Sequence, residues 1–128
     1  MRIRFVTKTI HAYLDYPVAL SLLVLPFILG VGLDNPWASW ISPAAGVAVF
    51  ILTLLTDHAT GVIRVIPYWL HVVVDRLVGV VFLIVPSVFG MKGLDMWYYL
   101  ANAVAVFIVT TVVNAPEPKT DTASTAHA

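Results

Sequence analysis

The chain has 128 residues, room for one domain, with seven basic residues, seven acidic residues and no cysteine. Hydrophobic residues make up 60% of it and charged residues 11%, where a soluble domain carries about 25% charged; mean hydropathy is +0.93. This balance excludes a water-facing globule, gives no reason to expect nucleic acid as a partner, and rules out disulfides and thiolate metal sites.

Arg2, Arg4 and Lys8 precede the first apolar run. No small-residue cleavage site follows it and further spans come after, so it reads as a retained anchor and not a cleaved signal. Four apolar segments are predicted as membrane helices: about 16–33, 40–56, 68–89 and 96–113. Each is near the roughly 17–25 residues that cross the hydrocarbon as a helix, where every backbone group is satisfied within the segment. Short Gly-containing links (VGLDNPWAS and GMKGLD) make segments one and two, and three and four, helical hairpins. The middle link, DHATGVIRVIP, is longer, and its Val62, Ile63, Val65 and Ile66 suggest that it lies along the membrane surface. The tail, 115–128, has no periodicity and is expected to be disordered.

Six of the seven Lys and Arg residues (all but Lys92) fall on one side of this topology. The positive-inside rule then puts both termini and the middle link in the cytoplasm. Trp37, Trp40 and Trp97 mark the outer interface and Trp69 the inner one, as aromatic belts do.

Residues 71–90, HVVVDRLVGVVFLIVPSVFG, align with 11–30, HAYLDYPVALSLLVLPFILG, at an offset of sixty without a gap. His11, Asp15, Pro26 and Gly30 match His71, Asp75, Pro86 and Gly90, and Ile3-Arg4 matches Ile63-Arg64. AAGVAVFILT (44–53) then matches ANAVAVFIVT (101–110). The fold expected is an all-α membrane protein of four transmembrane helices. It forms two tandem hairpins, 1–60 and 61–114, related in parallel about a pseudo-twofold along the membrane normal. Ala19, Gly46, Gly79 and Ala103 supply small residues for close helix approach.

On these residues, and above all on the junction TDHATGVIRVIPYWLHVVVD, the chain resembles the SPW-repeat integral membrane proteins of bacteria over roughly residues 10–113. It departs at the signature tripeptide, where it has Leu25-Pro26-Phe27 and Val85-Pro86-Ser87. The resemblance implies a bacterial inner-membrane protein. It implies no activity.

His11/Asp15 and His71/Asp75 are i, i+4 pairs on one helix face. Pro26 and Pro86, about three turns further on, return to that face and are expected to kink their helices. One reading makes the two pairs, with Arg4, Arg64 and Asp57, a polar cluster at the cytoplasmic mouth that binds an ion, a lipid headgroup or a proton. The other makes them helix-end anchors, and it is favoured because the residues stand at a helix end. A metal shared by His11 and His71 would need both copies to converge, so pairing with Asp is expected and no metal is assigned. His58 and His127 read as solvated loop histidines, and Asn102 as a buried inter-helix hydrogen bond. No catalytic motif is present, and no enzyme activity or cofactor is expected. A haem held by the two histidines, or an associated quinone, is a weaker option. The expectation is a structural or accessory membrane subunit, with small solute, ion or lipid binding through the cluster as the alternative. Its partners are the bilayer and, as candidates, further copies of itself or other membrane proteins.

Overall fold

The computed structural model describes residues 4–112 and Asn114. The predicted tail, with Lys119 and His127, lies outside them, as does Arg2.

Four helices follow in order: α1 (Lys8–Leu29), α2 (Pro36–Leu55), α3 (Tyr68–Val88) and α4 (Gly93–Phe107), the last running on as a π-helical turn, Ile108–Val112. All four are long and apolar enough to cross a membrane, the architecture of a multi-pass membrane protein. The molecule is inside-out by the standards of a soluble fold. Leu20, Phe27, Ile28, Leu77 and Leu83 point outward, and the polar groups His11, Asp15, Ser42, Thr53 and His71 are buried.

α1 and α2 start at side-chain caps. The Thr7 hydroxyl caps α1 by accepting from the Ile10 N–H at 3.3 Å, and the Asn35 side chain caps α2 by accepting from the Trp37 N–H at 3.1 Å, with Pro36 at the first helical position. α1 therefore begins eight residues before the expected boundary at 16. Hydropathy marks where lipid begins, whereas the cap marks where the helix begins. His11 and Asp15 consequently lie inside a helix that was already under way.

α1 and α3 end alike. Gly30 (φ 76) and Gly90 (φ 65) take the left-handed conformation, and the N–H of the next residue, Val31 or Met91, returns to Pro26 O or Pro86 O at 2.8 Å. That is the Schellman bond, with the following apolar side chain tucked inward, since Val31 and Met91 are both buried.

Within each hairpin, small residues bring the helices together. A Cβ on Gly46 of α2 would come 2.9 Å from Ala19 O of α1, so only glycine fits there. Ala19, Gly79 and Ala103 are buried too. Within the second hairpin the core is aromatic, with Phe82 of α3 packed on Tyr99 of α4 at a ring separation of 4.8 Å.

A polar network ties α2 to both neighbours. Pro26 has no N–H, so Leu22 C=O lacks its partner four residues on. The Ser42 hydroxyl of α2 donates to that carbonyl at 2.9 Å. With its proton so committed, Ser42 Oγ accepts from the Tyr98 hydroxyl at 2.7 Å. The Tyr99 hydroxyl enters α2 one step away. It accepts from Ser42 N–H at 3.0 Å and donates to Ala38 O at 2.5 Å, bridging an i, i+4 backbone pair. Asn102 does not make the expected inter-helix bond; its amide donates to Tyr98 O of its own helix at 2.9 Å, one turn back.

The middle link folds back on the end of α2. The N–H groups of Val62 and Ile63 reach Leu54 O at 2.8 and 3.0 Å, and those of Val65 and Ile66 reach Leu55 O at 3.0 and 2.8 Å. The link thereby satisfies carbonyls that a helix end leaves without partners. Val62, Ile63 and Val65 remain exposed. Thr56 pairs with Ile66 in a short parallel bridge, and Val6 pairs with Asn114 in another. Trp37, Trp40, Trp69 and Trp97 all lie near the first turns of their helices and are exposed.

Candidate functional site

The two His/Asp pairs meet. α1 presents His11 and Asp15, α3 presents His71 and Asp75, and the four side chains close into one buried ring between the helices. His11 Nε2 lies 3.1 Å from Asp15 Oδ1 and 2.9 Å from Asp75 Oδ2. His71 Nε2 lies 3.1 Å from Asp15 Oδ2 and 3.2 Å from Asp75 Oδ2. Imidazole and carboxylate thus alternate around the ring, each pair bridging within its own helix and across to the other.

A third histidine joins from the middle link. His58 is only 3% exposed, and its Nε2 stands 3.2 Å from Asp15 Oδ2. This corrects the expectation of a solvated loop histidine. The loop is pinned over α1 by two bonds, Thr60 Oγ1 to Ala12 O at 2.8 Å and Tyr16 Oη to Thr60 O at 2.7 Å, and that pinning drives His58 inward. Burial holds the His58 pKa below the ordinary 6.5; the Asp15 carboxylate pulls the other way and His71 adds to the depression.

The hydrogen bonds fix one tautomer. Thr56 Oγ1 has a single proton and donates it to Leu52 O at 2.6 Å. Its 2.6 Å contact with His71 Nδ1 must therefore run from Nδ1–H to the hydroxyl oxygen. In a neutral His71 the lone pair then sits on Nε2. That atom is buried, has no hydrogen-bond partner among the described residues, and faces two carboxylate oxygens. Lone pair against carboxylate is repulsive, so a proton or a cation must occupy the space between them. His11 Nδ1 and His58 Nδ1 are likewise buried without a hydrogen-bond partner among the described residues.

Of the seven residues expected in the cluster, His11, Asp15, His71 and Asp75 come together, while Arg4, Arg64 and Asp57 stand apart. Arg4 donates to Asn114 O at 2.7 Å, and Arg64 donates to Gly61 O at 3.2 Å. Both arginines and Asp57 are exposed. The carboxylates are already surrounded by imidazoles, which leaves no room for a guanidinium at the ring. Tyr68 roofs the centre, its ring 5.7 Å from that of His11 and 6.3 Å from that of His71, with Lys8 Nζ 5.6 Å above it. On the side toward the bilayer midplane, a cavity of about 230 Å³ touches His11, Asp15 and Asp75 and is otherwise lined mainly by apolar groups such as Leu14, Val18 and Val106.

No family model matches the chain, and neither a curated protein nor a solved structure matches it. The site's chemistry must be read from its own geometry.

Proposed function

We propose that this is a small, non-enzymatic accessory protein of the bacterial inner membrane that binds a small ion between its two hairpins. In this reading the hairpins arose by tandem duplication, as the matches of His11, Asp15, Pro26 and Gly30 with His71, Asp75, Pro86 and Gly90 suggest, and the chain resembles the SPW-repeat proteins. Both termini and the ion centre face the cytoplasm, following the distribution of Lys and Arg. One observation carries the proposal: His71 Nε2 is buried, its tautomer is set by Thr56, and it faces two carboxylates with no hydrogen bond of its own. Buried ionisable groups at a membrane helix are costly and mark ion or proton sites. A purely anchoring role asks less of the residues, since one His/Asp pair per helix would satisfy itself and need not meet the other.

The test is thermal unfolding of purified protein against a panel of mono- and divalent cations. At least one cation raises the melting temperature of the wild type and leaves Asp15→Asn/Asp75→Asn unmoved. If no cation moves the wild type, the centre is a clasp between hairpins and the protein is a structural subunit only.

A further inference from the structure

We infer that His11, Asp15, His71 and Asp75 form a binding site for a divalent first-row transition cation of the zinc class, with Thr56 and His58 as positioning residues. The inference rests on the ion-binding reading and narrows it to one class of ion.

The geometry comes first. One ligand atom from each of the four residues can be chosen so that all lie within 4.8 Å of one another. Around the ring the nitrogen-to-oxygen separations are 2.9, 3.1, 3.1 and 3.2 Å. Ligands held about 2.0–2.1 Å from a tetrahedral zinc ion stand about 3.3 Å apart; the neighbouring nitrogen–oxygen contacts are of that size, with Asp15 offering Oδ1 to His11 and Oδ2 to His71, while a set of one atom per residue, spread within 4.8 Å, draws in around the ion.

The donor chemistry comes second. Two imidazole nitrogens with two carboxylate oxygens suit zinc, cobalt or nickel; sodium, magnesium and calcium prefer all-oxygen shells. Two carboxylates and one divalent cation also sum to zero charge, which a centre shut away from water favours.

The surroundings come third. A metal-binding histidine usually donates its other ring N–H to a fixed acceptor, and such partners orient the ring. The bond from His71 Nδ1–H to Thr56 Oγ1 is that contact, and it turns the Nε2 lone pair toward Asp15 and Asp75. His58 plays the matching part for a carboxylate by donating from Nε2 to Asp15 Oδ2 at 3.2 Å.

The test uses the full chain in detergent, stripped with a chelator and titrated with Co²⁺. Expected are one Co²⁺ per chain, the strong visible absorption of tetrahedral cobalt, and its displacement by Zn²⁺ but not by Mg²⁺ or Ca²⁺. Asp15→Asn/Asp75→Asn abolishes the spectrum. Thr56→Val and His58→Gln keep its shape with affinity weaker by about 10–100-fold, whereas residues with only a structural role would alter the melt and leave affinity alone. Absence of the cobalt spectrum in wild type overturns the inference, as does an unchanged spectrum in the double variant. Should the double variant fail to fold, Thr56→Val decides, and unaltered Co²⁺ affinity there refutes the site. A melting shift with Na⁺ or Ca²⁺ but none with Zn²⁺ or Co²⁺ sinks the transition-metal assignment and leaves the broader ion-binding reading standing.

Discussion

Ser42 offers the sharpest test of how the bundle holds itself together. Its hydroxyl serves two groups at once, Leu22 C=O and Tyr98 O–H. Ser42→Ala leaves both without a partner in a buried, lipid-surrounded core. Inter-helix hydrogen bonds in membranes average about 0.6 kcal/mol and reach about 1.7, so losing two should cost roughly 1–3.5 kcal/mol. Half of that loss exists only because of Pro26. In a Pro26→Ala background the new N–H at 26 reaches Leu22 O as an ordinary helical bond, and Ser42→Ala then costs only the Tyr98 contact. The double-mutant cycle should therefore show a coupling of about 0.6–1.7 kcal/mol between positions 26 and 42. Reversible unfolding in mixed SDS micelles, followed by tryptophan fluorescence on the four proteins, measures it. Effects that add to within about 0.3 kcal/mol would refute the idea that Ser42 stands in for the missing proline donor.

Tyr99→Phe removes a hydroxyl that bridges Ser42 N–H and Ala38 C=O. These two groups can rejoin as an ordinary i, i+4 bond, so the same unfolding assay should show a loss of no more than about 1.7 kcal/mol. Gly46→Ala pushes a methyl to 2.9 Å from Ala19 O and should cost about 1–3 kcal/mol by forcing α1 and α2 apart, visible as a lower midpoint. A Cβ at Gly90 meets nothing within 4 Å, so Gly90→Ala should cost only its left-handed backbone, about 1–2 kcal/mol, with Gly90→Asn milder in the same measurement. A reporter active only in the periplasm should be silent when fused at Ala128 and active when inserted beside Lys92; the reverse pattern overturns the proposed orientation.

The four helices were legible because lipid imposes a length and a composition that no other environment demands. Where the sequence misled, the cause was local reasoning applied to a long-range fact. The i, i+4 spacing of His11 and Asp15 put them on one face, and the same spacing at 71 and 75 marked a second face like it. Nothing local said that the faces meet. Arg4, Arg64 and Asp57 were grouped with them by charge and chain proximity, yet their side chains turn outward to water and backbone carbonyls. His58 went unseen because its partner is 43 residues away and its burial depends on Thr60 and Tyr16 pinning the loop. The only hint was that Thr56, His58 and Thr60 make one short link unusually rich in groups that hydrogen-bond. The service that Ser42 renders to Leu22 was likewise beyond reach: a proline announces an orphan carbonyl, but not the neighbour that will answer it.

The two short bridges have a consequence for how the chain could be rewired. Thr56 pairs with Ile66 where one hairpin passes into the next, and Val6 pairs with Asn114 where the second hairpin comes back to the first. The backbone is thus close to a closed loop with two equivalent seams, of which only one is covalent. A circular permutant opened in the middle link and joined by a short tether from Asn114 to Val6 should keep every helix in its place. It would cut the segment that carries His58 and leave His11, Asp15, His71 and Asp75 on intact helices, separating the work of the ring from the work of the loop above it.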